Sequence, residues 1–327
     1  MPLPQSQSTP GYHDWESDSD CEYTTIPPPS FIERSRVDDV LDQPHQTLFS
    51  RAIRNVLHSK AAEMAFAQLA DGLPLKKIAH STRGVLFHNV VDEHETLCPG
   101  ALDRAKKLRD DLDPASLDLP IALPFVELIA VAIHRIAVLL YKQGSMHKET
   151  GLPVEEDRLC SNRADGPNRH YHPPPFCLHE YADPGRYPEG VADITGYWAE
   201  NWIFGGVVVF SRGGSGVECK DVWLHSFRNN TTRRVWAVSD DQLAKLLSFL
   251  ESEEQDTSDC PLPLVLEKTN KRRMDSDNCI PEHNIYRDRW ERKMRFATRS
   301  NWEFAQSGMC VDEEIHYPYS DDNEDLF

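Results

Sequence analysis

The stretch from Asp193 to Leu250 constrains the fold of this chain more than any other, because its apolar runs and turn residues alternate at the spacing of a small sheet closed by one helix. Ile203 to Phe210, interrupted only by Gly205 and Gly206, is a short apolar run of the kind a strand buried on both faces shows. Ser211 to Gly216 carries three glycines and two serines, which suit a reversing loop, and Val217 to His225 then alternates as a half-exposed strand does. Asn229 and Asn230 offer a second turn before Thr231 to Val238, whose β-branched residues and Trp236 favour a third strand. An antiparallel meander follows from this order.

Directly after it, Ser239 and Gln242 have capping-box spacing, and Asp240 and Asp241 place negative charge where the first-turn amides point. Leu243, Leu246, Leu247 and Leu250 fall at i, i+3, i+4 and i+7, so one stripe of the helix is apolar and is expected to lie on the sheet.

Upstream, Leu48, Ala52, Ile53, Val56, Leu57, Met64 and Leu69 keep a helical stripe that Gly72 and Pro74 end, and a second helix fits Ala101 to Leu112. Ile121 to Tyr141 is the most apolar segment, but Pro124, Glu127 and the His134-Arg135 pair are too costly in lipid, so it reads as a buried core helix ended by Gly144. Glu127 and His134 are seven apart and share one face of it. The organisation expected is therefore α+β: an acidic, Pro-rich disordered tail at 1–43, a helical subdomain at 44–144, a Pro/His-rich linker at 145–190, the sheet and its helix at 191–252, a basic and aromatic segment at 253–311, and a disordered acidic tail at 312–327.

The 327 residues carry a formal charge of −18, which opposes encounters with nucleic acid or anionic lipid and leaves another protein as the expected partner. Met1 to Gln7 shows no basic region followed by an apolar run, so an intracellular setting, cytoplasmic or nuclear, is expected. Eight cysteines without paired CxxC spacing then read as free thiols.

The best chemical constellation is His170, His172, Cys177 and His179, four groups within ten residues that suit zinc. Pro173 to Pro175 stiffen the link and the spacing is no standard finger, so a polar loop without cofactor is the preferred reading and a zinc-dependent module or enzyme the alternative. His179-Glu180 lacks the second histidine of a metalloprotease helix, and Pro184 follows closely. The Gly213 to Gly216 loop lacks the Lys-Ser/Thr ending of a phosphate cradle, and there is no Gly-x-Ser-x-Gly elbow. Basic residues from Lys268 to Arg299 interleave with Tyr286, Trp290, Phe296 and Trp302, so the preferred reading is a helix docked by its aromatics with the basic side chains snorkelling outward; Arg287, Arg289, Trp290 and Arg292 are the candidate partner contacts.

With Asp193 to Phe210 and the octet Ile285 to Arg292 (Ile-Tyr-Arg-Asp-Arg-Trp-Glu-Arg) in view, the C-terminal half resembles a group of uncharacterised proteins from filamentous fungi. The resemblance implies a eukaryotic, intracellular setting and transfers no functional residue. A meander closed by a leucine-striped helix also resembles the Smi1/Knr4 superfamily of interaction modules, at the level of fold only, and the long helical N-terminal part departs from it. With no catalytic motif in the chain, a non-catalytic, protein-binding or regulatory module is the expected function.

Overall fold

The computed structural model describes residues 23–24, 33–84, 89–120, 123–144, 174–229, 231–253, 259–292 and 294–295. Along these the chain runs β1 (Tyr23–Thr24), β2 (Arg34–Arg36), α1 (Val37–Val40), α2 (Gln43–His58), α3 (Lys60–Asp71), α4 (Lys76–His80), α5 (Asn89–Glu93), α6 (Ala101–Asp111), β3 (Asp118–Pro120) and α7 (Phe125–Lys142). It continues through α8 (Val191–Ile203), β4 (Val207–Ser211), β5 (Val222–His225), β6 (Val235–Ala237), α9 (Asp240–Glu251), β7 (Arg273–Met274), α10 (Ser276–Cys279), β8 (Ile285–Tyr286) and β9 (Met294–Arg295). The class is α+β, as the sequence implies. No helix among the described residues is long and apolar enough to cross a membrane.

The stripe expected to form one helix from Leu48 to Leu69 forms two. Ser59 sits between them with extended backbone, and its Oγ donates to Val56 O while accepting from Ala62 N, so one residue closes α2 and opens α3. Asp42 caps the start of α2 by accepting from His45 N. Ala61, Ala62 and Ala65 keep α3 narrow, and α6 and α8 pack closely on it.

The meander is present: β4, β5 and β6 pair antiparallel with Val209 opposite Trp223 and Leu224 opposite Trp236. Two strands widen it to the order β7-β6-β5-β4-β8. The first strand begins only at Val207, because Ile203 ends α8 and Gly205 turns the chain with a φ of 96°. A Cβ on Gly205 would lie 2.1 Å from Leu264 O, so only glycine fits there. The second expected strand also starts late, and Val217 is 80% exposed in the loop that precedes it.

Helix α9 has the expected capping box: Gln242 N donates to Ser239 Oγ over 3.3 Å and Ser239 N to Gln242 Oε1 over 3.1 Å. Its docking partner differs from expectation. It lies against α2, where the Asn55 amide donates to Phe249 O, Leu250 O and Ser252 O at 2.9, 3.3 and 3.0 Å, and so satisfies carbonyls the helix end leaves open.

Three expected boundaries are corrected. Residues 33–43 are folded: β2 pairs with β3 and Val37 is buried. The end of the expected linker is core, with Phe176, Cys177, Leu178 and Tyr181 all at most 1% exposed. The basic segment supplies β7 and β8 to the sheet. Low average hydrophobicity concealed single buried anchors in each case. Helices and sheet share one continuous core that contains both Ile53 and Val209. The expected tail at 312–327 lies outside the described residues.

Candidate functional site

Helix α8 is buried along all of its residues, although it contains Asp193, Glu200 and Asn201. A charged side chain in such a place must be paired, so the partners of these residues define the polar heart of the molecule. Helix α7 packs along α8 and turns Glu127 and His134 toward a cleft of about 340 Å³, as their seven-residue spacing requires. Gly196 lets the two approach: a Cβ there would meet the His134 ring at 2.5 Å.

His134 Nδ1 lies 2.7 Å from Glu200 Oε1, and Nε2 lies 3.3 Å from Asp193 Oδ1. Burial alone would depress the imidazole, but the hydrogen bonds it donates to Asp193 and Glu200 outweigh it and hold His134 above its ordinary pKa. Glu200, fully buried, also accepts from Arg287 Nη1 at 2.7 Å and from Val208 N at 3.2 Å. Against the cost of burial, Arg287 and His134 together keep its carboxyl below the ordinary range. The Arg287 guanidinium lies 4.9 Å from the centre of the Tyr197 ring. Glu127 forms a two-pronged pair with Arg212, with Nη1 and Nη2 at 2.9 and 2.5 Å, and Arg212 also donates to Tyr286 O and Arg287 O.

The octet Ile285 to Arg292 is held by its backbone. Arg186 donates to Trp290 O and Arg292 O, the Tyr187 hydroxyl to Glu291 O, and the Arg287 and Asp288 amides to Glu291 Oε2. Burial pushes the Glu291 carboxyl up to about 7. Arg292 enters a second buried group, 3.2 Å from Glu180 Oε2 and 3.2 Å from His225 Nδ1, which also contacts the Tyr181 hydroxyl. Burial opposes ionisation of Glu180, yet His225 and Arg292 hold it well below the usual carboxylate range.

At the mouth, Glu189 gathers Lys142, Arg135 and Arg34. The hydrogen bond from Lys142, chief among these contacts, holds its carboxyl down to about 2. Half-buried Trp290 packs on the buried Tyr187 ring with ring centres 6.1 Å apart, and the Asp288 side chain is 43% exposed.

The sequence candidates divide. Arg287 and Arg292 are 7% and 1% exposed, so they do not snorkel outward; their charges are held by buried carboxylates and no docked helix forms. Arg289 is exposed beside the Tyr286 ring, and Trp290 stands half-buried on the cleft wall. Cys177 and His179 do not share a site: Cys177 is in the core, where burial pushes its thiol up to about 12, and His179 is exposed. His170 and His172 lie outside the described residues. Asp193 and Glu200 were missed, and the signal that finds them is a pair of acids seven apart within an otherwise apolar run.

No protein-family model, curated protein or solved structure matches the chain.

Proposed function

We propose that the protein is a binding module that holds another protein at the cleft between α7, α8 and the 285–292 segment, and that it works without catalysis there. One observation carries this reading: both nitrogens of His134, the side chain best suited to proton transfer, are engaged by carboxylates of its own chain. The ring has neither a lone pair nor a hydrogen to offer a substrate. Glu127 and Arg287 are likewise paired internally. What remains open on the cleft wall is half-buried Trp290 with a few half-exposed charges such as Asp288, the composition of a small protein contact.

The test compares proteins enriched from a cell extract by the parent chain and by Trp290→Ala, with thermal melting of both as the control. A set of proteins captured by the parent and lost with Trp290→Ala at unchanged melting supports the reading. Equal capture by the two removes the cleft as the interface.

A further inference from the structure

Away from the cleft, three chain segments converge at the end of α3. Asp71, its last residue, is 0% exposed; His94 follows α5 and is 7% exposed; Cys98 precedes α6 and is half-buried. One ligand-type atom from each lies within 4.8 Å of the others.

The orientation of His94 is informative. Its Nδ1 lies 3.0 Å from Pro74 O, which only accepts, so Nδ1 carries the hydrogen. Nε2 therefore faces Asp71 Oδ2 at 3.1 Å, two electron-rich atoms that need a proton or a metal cation between them. That separation is close to the edge of a tetrahedron with bonds of about 2.0 Å, roughly 3.3 Å. A backbone carbonyl behind the ring is the outer contact that fixes metal-binding imidazoles. Asp71 Oδ2 is steadied in turn by Cys98 N at 2.8 Å. Because a thiol completes the set, imidazole, carboxylate and sulfur together favour zinc over the hard cations calcium and magnesium.

We propose that Asp71, His94 and Cys98 bind one zinc-class divalent ion. Cys98 binds as thiolate and releases its proton to solvent, and the fourth position is left to water. The ion ties the ends of α3 and α5 to the start of α6, so it stabilises the fold. None of its three ligands is among His170, His172, Cys177 and His179, and the proposal does not depend on what the cleft binds.

The experiment uses the full chain, purified without added metal, with metal content by mass spectrometry, then chelator treatment and titration with Zn²⁺ alone. The parent is expected to hold about one zinc per chain and to melt lower in chelator. Cys98→Ser and His94→Gln are expected to weaken zinc binding by roughly tenfold or more. Cobalt loading should give a thiolate-to-metal absorption band in the parent that Cys98→Ser lacks. If His94→Gln does not fold, Cys98→Ser decides, since in chelator it should melt with the parent. His172→Ala should keep the zinc. Absence of zinc binding by the parent, parent-like binding by Cys98→Ser, or loss of zinc in His172→Ala would each overturn the proposal.

Discussion

Replacing Gly196 by alanine probes the polar heart with one methyl group. The added Cβ would lie 2.5 Å from His134 Nε2 and 2.6 Å from Cδ2 and Cε1, where carbon contacts normally begin at about 3.5 Å. The ring must withdraw by about 1 Å. It is held by Glu200 at 2.7 Å and by Asp193, with Tyr197 edge-on at 4.6 Å, so withdrawal breaks the bond to a carboxylate that has no exposure to water. Losing a charged hydrogen bond and overpacking a core each cost about 1–3 kcal/mol and here overlap, giving about 2–4 kcal/mol together. Alanine in a helix returns about 1 kcal/mol relative to glycine, so the net loss is about 1–3 kcal/mol. Denaturant unfolding of Gly196→Ala measures it. In a His134→Ala background the clash is absent and the same substitution should be neutral or stabilising. A Gly196→Ala protein as stable as the parent, or an equal loss in both backgrounds, would refute the argument that this glycine seats the histidine.

Three further outcomes follow from the same geometry. Glu291 has a folded pKa of about 7 against an ordinary 4.5, so its protonation stabilises the fold below pH 4.5 and that stability is lost as pH rises toward 7. Glu291→Gln does not titrate, so its melting temperature relative to the parent should climb between pH 5 and 8, by up to about 3 kcal/mol in stability, and a pH-independent difference would count against it. Charge reversal at Arg287, which is buried against Glu200, should abolish cooperative unfolding, whereas Arg289→Glu, exposed, should melt within a degree or two of the parent. Leu246→Ala should cost about 2–4 kcal/mol and Leu247→Ala clearly less, since Leu246 is 2% exposed and Leu247 only half-buried; equal losses would misplace the face of α9.

The sequence made legible what rests on short-range rules. The Ser239 capping box, the meander strands and the shared face of Glu127 and His134 each follow from spacing alone, and each stands in the fold. Helix α8 escaped because a helix buried all round has no amphipathic period, and its Ile, Thr, Tyr and Trp resemble strand residues. The octet from Ile285 to Arg292 misled for the opposite reason: arginines read as surface until their carboxylate partners, buried Glu200 and part-buried Glu180, distant in sequence, are in view. The docking of α9 on α2 depends on Asn55, a single polar residue whose value lies in three carbonyls far along the chain.

The claim that this cleft seats a protein partner is tested most directly by contact from inside it. A photoreactive phenylalanine derivative placed at Trp290, which keeps an aromatic ring on the cleft wall, is compared with one at Lys245, exposed on α9. Irradiation in a cell extract should give discrete protein adducts from position 290 and none from position 245. Adducts of equal yield from both positions, or none from position 290, would contradict the account.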